Sequence, residues 1–205
     1  MEADPFLWKA QGEAATDSSV AELAEAPNCA LNEAHSFTQC CILDTCDYNE
    51  GKMNQHITIV RADATHPDFI NLVSHLDADL AIRDGDDHAF YSQFNKIDKI
   101  KHVVLAHEND LAVGCGAIKE LSSDTVEVKR MYVVPSARNH GIASLVLSAL
   151  EKWAKELSYN KCVLETGIRQ PEAIALYSKN GYVRISNYGQ YAGVQNSLCF
   201  EKRLK

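Results

Sequence analysis

Apolar positions recur with two different periods along residues 56–205. Val- and Ile-rich runs with every second position apolar predict strands, and segments with apolar residues three or four apart predict amphipathic helices. The predicted strands are His56–Ala62, Val103–His107, Leu111–Leu121, Thr125–Val134, Lys161–Thr166, Tyr182–Ile185 and Ser197–Lys202. The predicted helices are Pro67–Ala81, His88–Ile100, Gly141–Leu157 and Pro171–Lys179. This interleaved order predicts a mixed α/β (α+β) domain of about 150 residues.

Charge divides the chain into two parts. The 205 residues include 28 Asp and Glu against 20 Lys and Arg, for a net charge of -8. Residues 1–52 hold ten of the acids and two of the bases, so residues 53–205 are neutral overall. The acidic part has no apolar stripe long enough to build a core. We therefore predict a disordered, acidic, cysteine-containing extension at 1–52 and a folded domain at 53–205, with Met53 as an alternative start.

Composition narrows the class of protein. Hydrophobic residues make up 46% and charged residues 23%, which is typical of a globular protein. No run reaches the roughly 18 apolar residues of a membrane helix, and the acidic N-terminus does not resemble a signal peptide. A cytoplasmic protein without a membrane partner is expected. The neutral domain shows no basic patch interleaved with aromatics, which argues against nucleic acid.

The seven cysteines give little indication of a metal site. Those of the acidic segment lack a paired C-x-x-C spacing and have only His35 nearby, so no metal is predicted; they are Cys29, Cys40, Cys41 and Cys46. The other three lie in predicted strands, where a reduced core cysteine is the usual role; they are Cys115, Cys162 and Cys199.

The candidate chemistry begins in the loop between the strand Thr125–Val134 and the helix at Gly141. Free backbone amides at a helix N-terminus bind phosphate oxygens. Arg138 and His140 add side-chain donors, and Gly141 allows close approach of a ligand to the backbone. The loop is therefore a candidate site for a pyrophosphate, and a surface arginine followed by a helix-entry glycine is the alternative.

The loop and a second motif together resemble one family. Arg138-Asn139-His140-Gly141-Ile142-Ala143 is similar to the (R/Q)-x-x-G-x-(G/A) signature of the GNAT superfamily of N-acetyltransferases. The segment Glu172–Tyr182 resembles its A-x-x-L-Y-x-x-x-G-(F/Y) landmark. The resemblance spans about residues 55–203. It implies acetyl-CoA as cosubstrate without a metal, and a mostly antiparallel sheet with a splayed central strand pair and flanking helices.

The resemblance also implies how acetyl-CoA is held. The strand Arg130–Val134 would splay from Cys162–Thr166, and the pantetheine arm would pair with the main chain of Met131 and Val133. An amide near Met131 and Tyr132 would stabilise the oxyanion. The pyrophosphate would lie on the amides of Arg138, Asn139, His140, Gly141, Ile142 and Ala143. Gln170 stands where the family often has an asparagine that contacts the cofactor.

Acetyl transfer to an amine requires a neutral amine and a protonated leaving thiolate. Tyr177 is the candidate acid, because a phenol with a pKa near ~10 is protonated at neutral pH and the family uses a tyrosine at this place. Glu127, eleven residues before Arg138, matches the base of the histone-modifying branch. Glu165 on the facing strand is the second candidate base, and deprotonation through water is the third alternative.

The acceptor is the least determined part of the prediction. In this fold the pocket would come from residues 82–94 and 186–195, the second of which carries Tyr188 and Tyr191 as an aromatic wall. A primary amine of a small molecule is the first hypothesis. A protein lysine or N-terminus, and a non-catalytic acyl-CoA-binding module, are the alternatives. A closed pocket under residues 186–195 would favour a small molecule and an open trench a peptide. A homodimer is left open.

Overall fold

The computed structural model describes residues 42–45, as backbone, and residues 56–204. Within these residues the strands are β1 (Ile42–Thr45), β2 (Ile57–Ala62), β3 (His102–Glu108), β4 (Leu111–Ser122), β5 (Thr125–Val133), β6 (Lys161–Gly167), β7 (Val183–Ile185) and β8 (Ser197–Arg203). The α-helices are α1 (Pro67–Asp84), α2 (His88–Ser92), α3 (Ile142–Glu156) and α4 (Pro171–Lys179).

The described strands form one sheet in the order β1-β2-β3-β4-β5-β6-β8-β7. Every neighbouring pair is antiparallel except β5 and β6, which are parallel. This confirms the predicted mixed, mostly antiparallel sheet. Strand β1 lies within the segment 1–52, and the boundary at residue 52 stays a prediction.

Alternation along the strands places apolar side chains on both faces of the sheet. On one face Phe69 and Leu72 of α1 pack with Leu105 and Cys115 of the sheet. On the other face the fully buried stripe of α3 packs against β2, β3, β4 and β5; it comprises Val146, Leu147 and Leu150. Both faces are therefore covered by helices.

The predicted helix over His88–Ile100 is wrong beyond Ser92, where α2 ends. The chain continues in turns, with Asn95 N donating to Ser92 O and Ile100 N to Ile97 O. Those turns let Ile100 join the buried cluster of α1 and β3. The apolar spacing correctly identified the side chains that face the protein interior. Successive turns can place such side chains inward as well as a helix can.

Strands β5 and β6 pair only at their beginnings, and this opens the sheet. The last paired residues are Glu127 and Val163. Beyond them Arg130 takes a positive φ of 58°, and the register with β4 shifts at this point. An extra residue of this kind bends a strand away from its partner. The predicted splay of the central strand pair is confirmed.

One ion pair and one glycine accommodate the bulge at Arg130. Its guanidinium is buried and pairs with Asp77 of α1 across 2.5 Å. Opposite the bulge, a Cβ on Gly116 would lie 2.4 Å from Met131 Sδ and 2.9 Å from Leu150 Cδ1. Only a glycine leaves room for the bent strand and α3 together.

Candidate active site

The gap between β5 and β6 opens into a cleft of about 520 Å³. Its walls are the end of α1, strand β5, the loop into α3, the end of β6 and helix α4. Eleven of the twelve predicted site residues line it, and the exposed His140 does not. The fold therefore brings the predicted phosphate loop, Tyr177, Glu127 and Glu165 to one cavity.

The loop into α3 presents amides at a helix N-terminus. Asn139 and Gly141 have φ of 67° and 80°, and the first hydrogen bonds of the helix run from Ser144 and Leu145 to Gly141 O. The amides of residues 139–143 precede those bonds and have no helical acceptor. A Cβ at Gly141 would meet no atom within 4 Å. The loop thus faces open space in front of a helix of 15 residues, which suits an anion.

Arg138 is held between β5 and α1. Its Nε donates to Val133 O at 2.9 Å and its Nη2 to Asp79 Oδ2 at 3.1 Å. The guanidinium carbon lies 5.6 Å from the centre of the Tyr132 ring. The carbonyl of Val133, expected to pair with the pantetheine arm, therefore already accepts a hydrogen bond from Arg138.

Tyr177 lies on α4 with 6% of its surface exposed. Its ring packs against Tyr182 and Phe200 at 5.7 and 6.2 Å between centroids. Burial, reinforced by the nearby Glu165 carboxylate, raises the pKa of Tyr177 well above its ordinary value. Its hydroxyl is consequently protonated across the neutral range.

Helix α4 is also tied to α3 at the cleft. Asn180 Nδ2 donates to Leu176 O at 2.8 Å and to Ser144 Oγ at 3.1 Å. At the opposite end of α4, Gln170 Oε1 accepts from Thr166 Oγ1 at 3.4 Å. These contacts set the position of Tyr177 relative to the phosphate loop.

Glu127 is the most completely bonded carboxylate of the cleft. It is 4% exposed, Oε1 accepts from the Tyr188 hydroxyl at 3.1 Å, and Oε2 accepts from Lys129 Nζ at 3.2 Å. Lys129 Nζ also lies 3.5 Å from the Tyr191 hydroxyl. Sequence reasoning placed Glu127 in the site and allowed for a pairing with Lys129, but it did not identify Tyr188 as a partner.

Glu165 has a different environment from Glu127. It follows the last β5–β6 pair by two residues, and its Oε1 is buried without a hydrogen-bond partner among the described residues. Burial raises the pKa of Glu165 to about 7, against the opposing effects of the Ser197 hydroxyl and the Lys129 charge. It is therefore a cleft carboxyl that can gain or lose a proton at neutral pH.

Aromatic side chains cover this carboxylate pair. Tyr188 and Tyr191 meet edge to face at 5.9 Å, and Tyr191 meets Phe94 in the same way at 5.9 Å. Tyr191 is only 3% exposed. Residues 186–195 therefore contact β5 through both tyrosines. Tyr191 lines the cleft, and an aromatic wall for an acceptor stays a prediction.

The rim of the cleft is closed by ion pairs between the α1–α2 region and the start of α4. Arg83 pairs with Glu172, and Arg169 pairs with Asp87 across 2.5 Å. Arg169 Nη1 also donates to the carbonyl of Asp84 at 2.8 Å. The acidic loop at 84–87 is thus bonded to basic residues of the chain itself.

Other sequence-based expectations concern metals and membranes. Within the described residues, no group of three His, Cys, Asp or Glu side chains is arranged to hold a metal ion. No helix in that part of the chain is long and apolar enough to cross a membrane. The four cysteines of the segment 1–52 lie outside the residues whose side chains are described.

A sheet splayed at a parallel strand pair, with the free amides of a helix start beside a protonated tyrosine and carboxylates, fits an acyl-CoA-dependent acyltransferase. The model of the acetyltransferase (GNAT) family matches residues 70–182, and the chain belongs to that family. The resemblance drawn from the two motifs is confirmed, and the protein is an acetyl-CoA-dependent acyltransferase.

Relatives and solved structures agree with this assignment. An IAA acetyltransferase of Azospirillum brasilense is 37% identical over 102 residues, 49% of this chain and 67% of that protein. A putative acyl-CoA N-acyltransferase of Klebsiella pneumoniae is 30% identical, with a TM-score of 0.62 over 73% of this chain and 98% of its own. A GNAT acetyltransferase of Elizabethkingia anophelis with acetyl-CoA bound is 21% identical, with a TM-score of 0.54 over 72% and 98%, and it shares the fold.

Proposed function

We propose that the protein transfers the acetyl group of acetyl-CoA to the primary amine of a small molecule, by direct attack in a ternary complex. The observation that carries this proposal is the placement of Glu127, Glu165 and Tyr177 in one cleft with the phosphate loop. Amine acetylation needs a proton acceptor for the ammonium and a proton donor for the thiolate, and the cleft contains both.

Acetyl-CoA is proposed to bind at the β5 side of this cleft. The amides of residues 139–143 and Arg138 would hold the pyrophosphate, Met131 and Val133 the pantetheine arm, and Gln170 a nearby cofactor group. Beyond the last β5–β6 pair, main-chain groups of β5 that point toward β6 have no strand partner, so an extended ligand can add there. An amide near Tyr132 would stabilise the oxyanion.

The covered acceptor side supports a small molecule over a peptide. Residues 186–195 bond to β5 through Tyr188 and Tyr191 and contact the turns after α2 through Phe94. A peptide would need an open trench along this face. The aromatic side chains here would pack against an amine whose non-reacting part is apolar or aromatic.

A panel of acceptors tests the proposal. The full chain would be incubated with acetyl-CoA and small amines, amino acids or lysine peptides, and acetylated products would be measured by mass spectrometry. Acetylation of small amines at rates well above those of the peptides is expected. Preferential acetylation of peptides would favour the protein-acetyltransferase alternative, and acetyl-CoA binding without any product would favour the binding module.

A further inference from the structure

We infer that Glu165 is the general base that takes the proton of the acceptor ammonium, while Glu127 is a positioning residue that holds Lys129 and Tyr188 in place. This inference rests on the proposed function and assigns different roles to the two carboxylates of the cleft. It also places the reacting amine at the β6 side of the cleft, where the strands have parted.

The hydrogen bonding of the two carboxylates differs in the way that these two roles require. Both oxygens of Glu127 are engaged, one by Tyr188 and one by Lys129. Glu165 has a buried Oε1 without a partner among the described residues. An unpartnered buried oxygen is unfavourable unless a ligand donates to it. An acceptor ammonium is a donor that fits this position.

The charged and titratable groups around Glu165 are consistent with a role of this carboxyl in proton transfer. From β5, Glu127 raises and Lys129 lowers the pKa of Glu165, and Asp84 at the end of α1 raises it further. Ser197 of β8 supplies an opposing hydrogen bond. The remaining titratable neighbours are the phenols Tyr91, Tyr177 and Tyr191 and the thiol Cys199, whose own pKa values the Glu165 charge raises. Burial is the largest cause, so the carboxyl is poised near neutral pH.

The step balances with the groups in the cleft. The Glu165 carboxylate accepts one proton from the ammonium, giving a carboxylic acid and a neutral amine. The amine nitrogen attacks the thioester carbonyl, forming the C–N bond, and collapse of the intermediate breaks the C–S bond. The thiolate takes the Tyr177 proton, the phenolate recovers the surplus proton of the amide nitrogen, and Glu165 returns its proton to solvent.

The pH dependence of kcat/KM distinguishes Glu165 from Glu127. In the wild type, kcat/KM should rise tenfold per pH unit and level off near pH 7. Glu165→Gln should lower kcat/KM at pH 7 by about 100- to 10,000-fold. The kcat/KM of this variant should also keep rising with pH until the pH reaches the pKa of the acceptor amine, because only the neutral amine then reacts. Glu127→Gln should reduce the rate but keep the plateau near pH 7. Glu120→Gln, an exposed carboxylate on β4, is the matched control.

Carboxyl NMR of glutamate-labelled protein tests the same claim without turnover. A resonance lost in Glu165→Gln should titrate near pH 7 and shift when a small amine is added. A Glu165 carboxyl that titrates below about pH 5, or a Glu165→Gln profile that keeps the wild-type plateau, would overturn the inference while the acetyltransferase activity stands. Absence of acetylation by the wild type with every amine would instead contradict the proposed function, and with it the role of the base.

Discussion

The hydroxyl of Tyr188 donates to Glu127 Oε1 across 3.1 Å and so joins the loop over the acceptor side to the strand at the mouth of the splay. Burial and the Glu127 charge raise the pKa of Tyr188 far above its ordinary value, so the phenol remains a donor throughout the neutral range. The conformation of residues 186–195, and with it the proposed acceptor pocket, therefore depends on this hydrogen bond.

Tyr188→Phe should loosen this loop. A hydrogen bond to a charged group contributes about 1.5–3 kcal/mol, so we expect a lower melting temperature and an acceptor KM raised by at most about 10- to 150-fold. Acetyl-CoA affinity, measured by calorimetry, should be unchanged. Tyr159→Phe is the matched control, because Tyr159 donates to Glu120 at 3.2 Å in an exposed pair. Equal effects of the two variants on the acceptor KM would contradict the assignment.

Gly141→Ala tests the phosphate loop. At φ of 80° an alanine is strained by about 1–2 kcal/mol, and its methyl group would project into the open space in front of the amides. Acetyl-CoA binding should weaken at least about tenfold, as loss of a direct phosphate contact implies.

The control for Gly141 is Gly193. It has φ of 78° and likewise no atom within 4 Å of a Cβ, but it lies outside the cofactor loop. Gly193→Ala should carry a similar backbone strain, seen as a similar change in melting temperature, with unaltered acetyl-CoA affinity. If both variants bind acetyl-CoA as the wild type does, the loop does not hold the pyrophosphate.

Much of this fold is predictable from the sequence because its strands and helices are amphipathic. The periods of Val103–His107, Gly141–Leu157 and Pro171–Lys179 correspond closely to β3, α3 and α4. The bulge is different, since a positive φ at Arg130 depends on Asp77 and Gly116, which are distant in sequence. No local signal marks it.

The candidate site is also predictable from the sequence only in part. The phosphate loop and Tyr177 lie within recognisable motifs, and the structure brings both to the cleft. The contrast between Glu127 and Glu165 was not predictable, because it arises from partners 61 residues away in the case of Tyr188 and from the burial of Glu165 under several elements. Sequence reasoning ranked Glu127 first as base, and our proposal of Glu165 rests on these contacts instead.

Tyr177→Phe removes the proposed acid and retains the aromatic ring. Because proton donation contributes about 10²- to 10⁴-fold and water can partly substitute, we expect kcat to fall roughly ten- to a thousandfold. Packing against Tyr182 and Phe200 should survive, so acetyl-CoA affinity and melting temperature should change little. An acceptor-saturated kcat equal to that of the wild type would exclude Tyr177 from the reaction.

The stability of Glu165→Gln should depend on pH with a definite sign. The folded state raises the pKa of Glu165 from 4.5 to about 7, so it binds the proton more tightly than the unfolded chain. The stability this contributes is full below about pH 4.5 and is lost as the pH rises through 7. The variant lacks this loss, so its melting temperature relative to the wild type should increase between pH 5 and pH 8 by several degrees, at about 2–4 °C per kcal/mol. A difference that is constant with pH would contradict the raised pKa.

The most direct test of the central claim is the stoichiometry of acetyl transfer by the full chain. Free CoA thiol and acetylated amine would be quantified together, for the wild type and Tyr177→Phe, with each of several small primary amines. We expect one CoA released per acetylated amine, dependence on the amine, and a much slower reaction in Tyr177→Phe. Thiol release that does not depend on the amine, or no release by a wild type that binds acetyl-CoA, would contradict the proposed N-acetyltransferase.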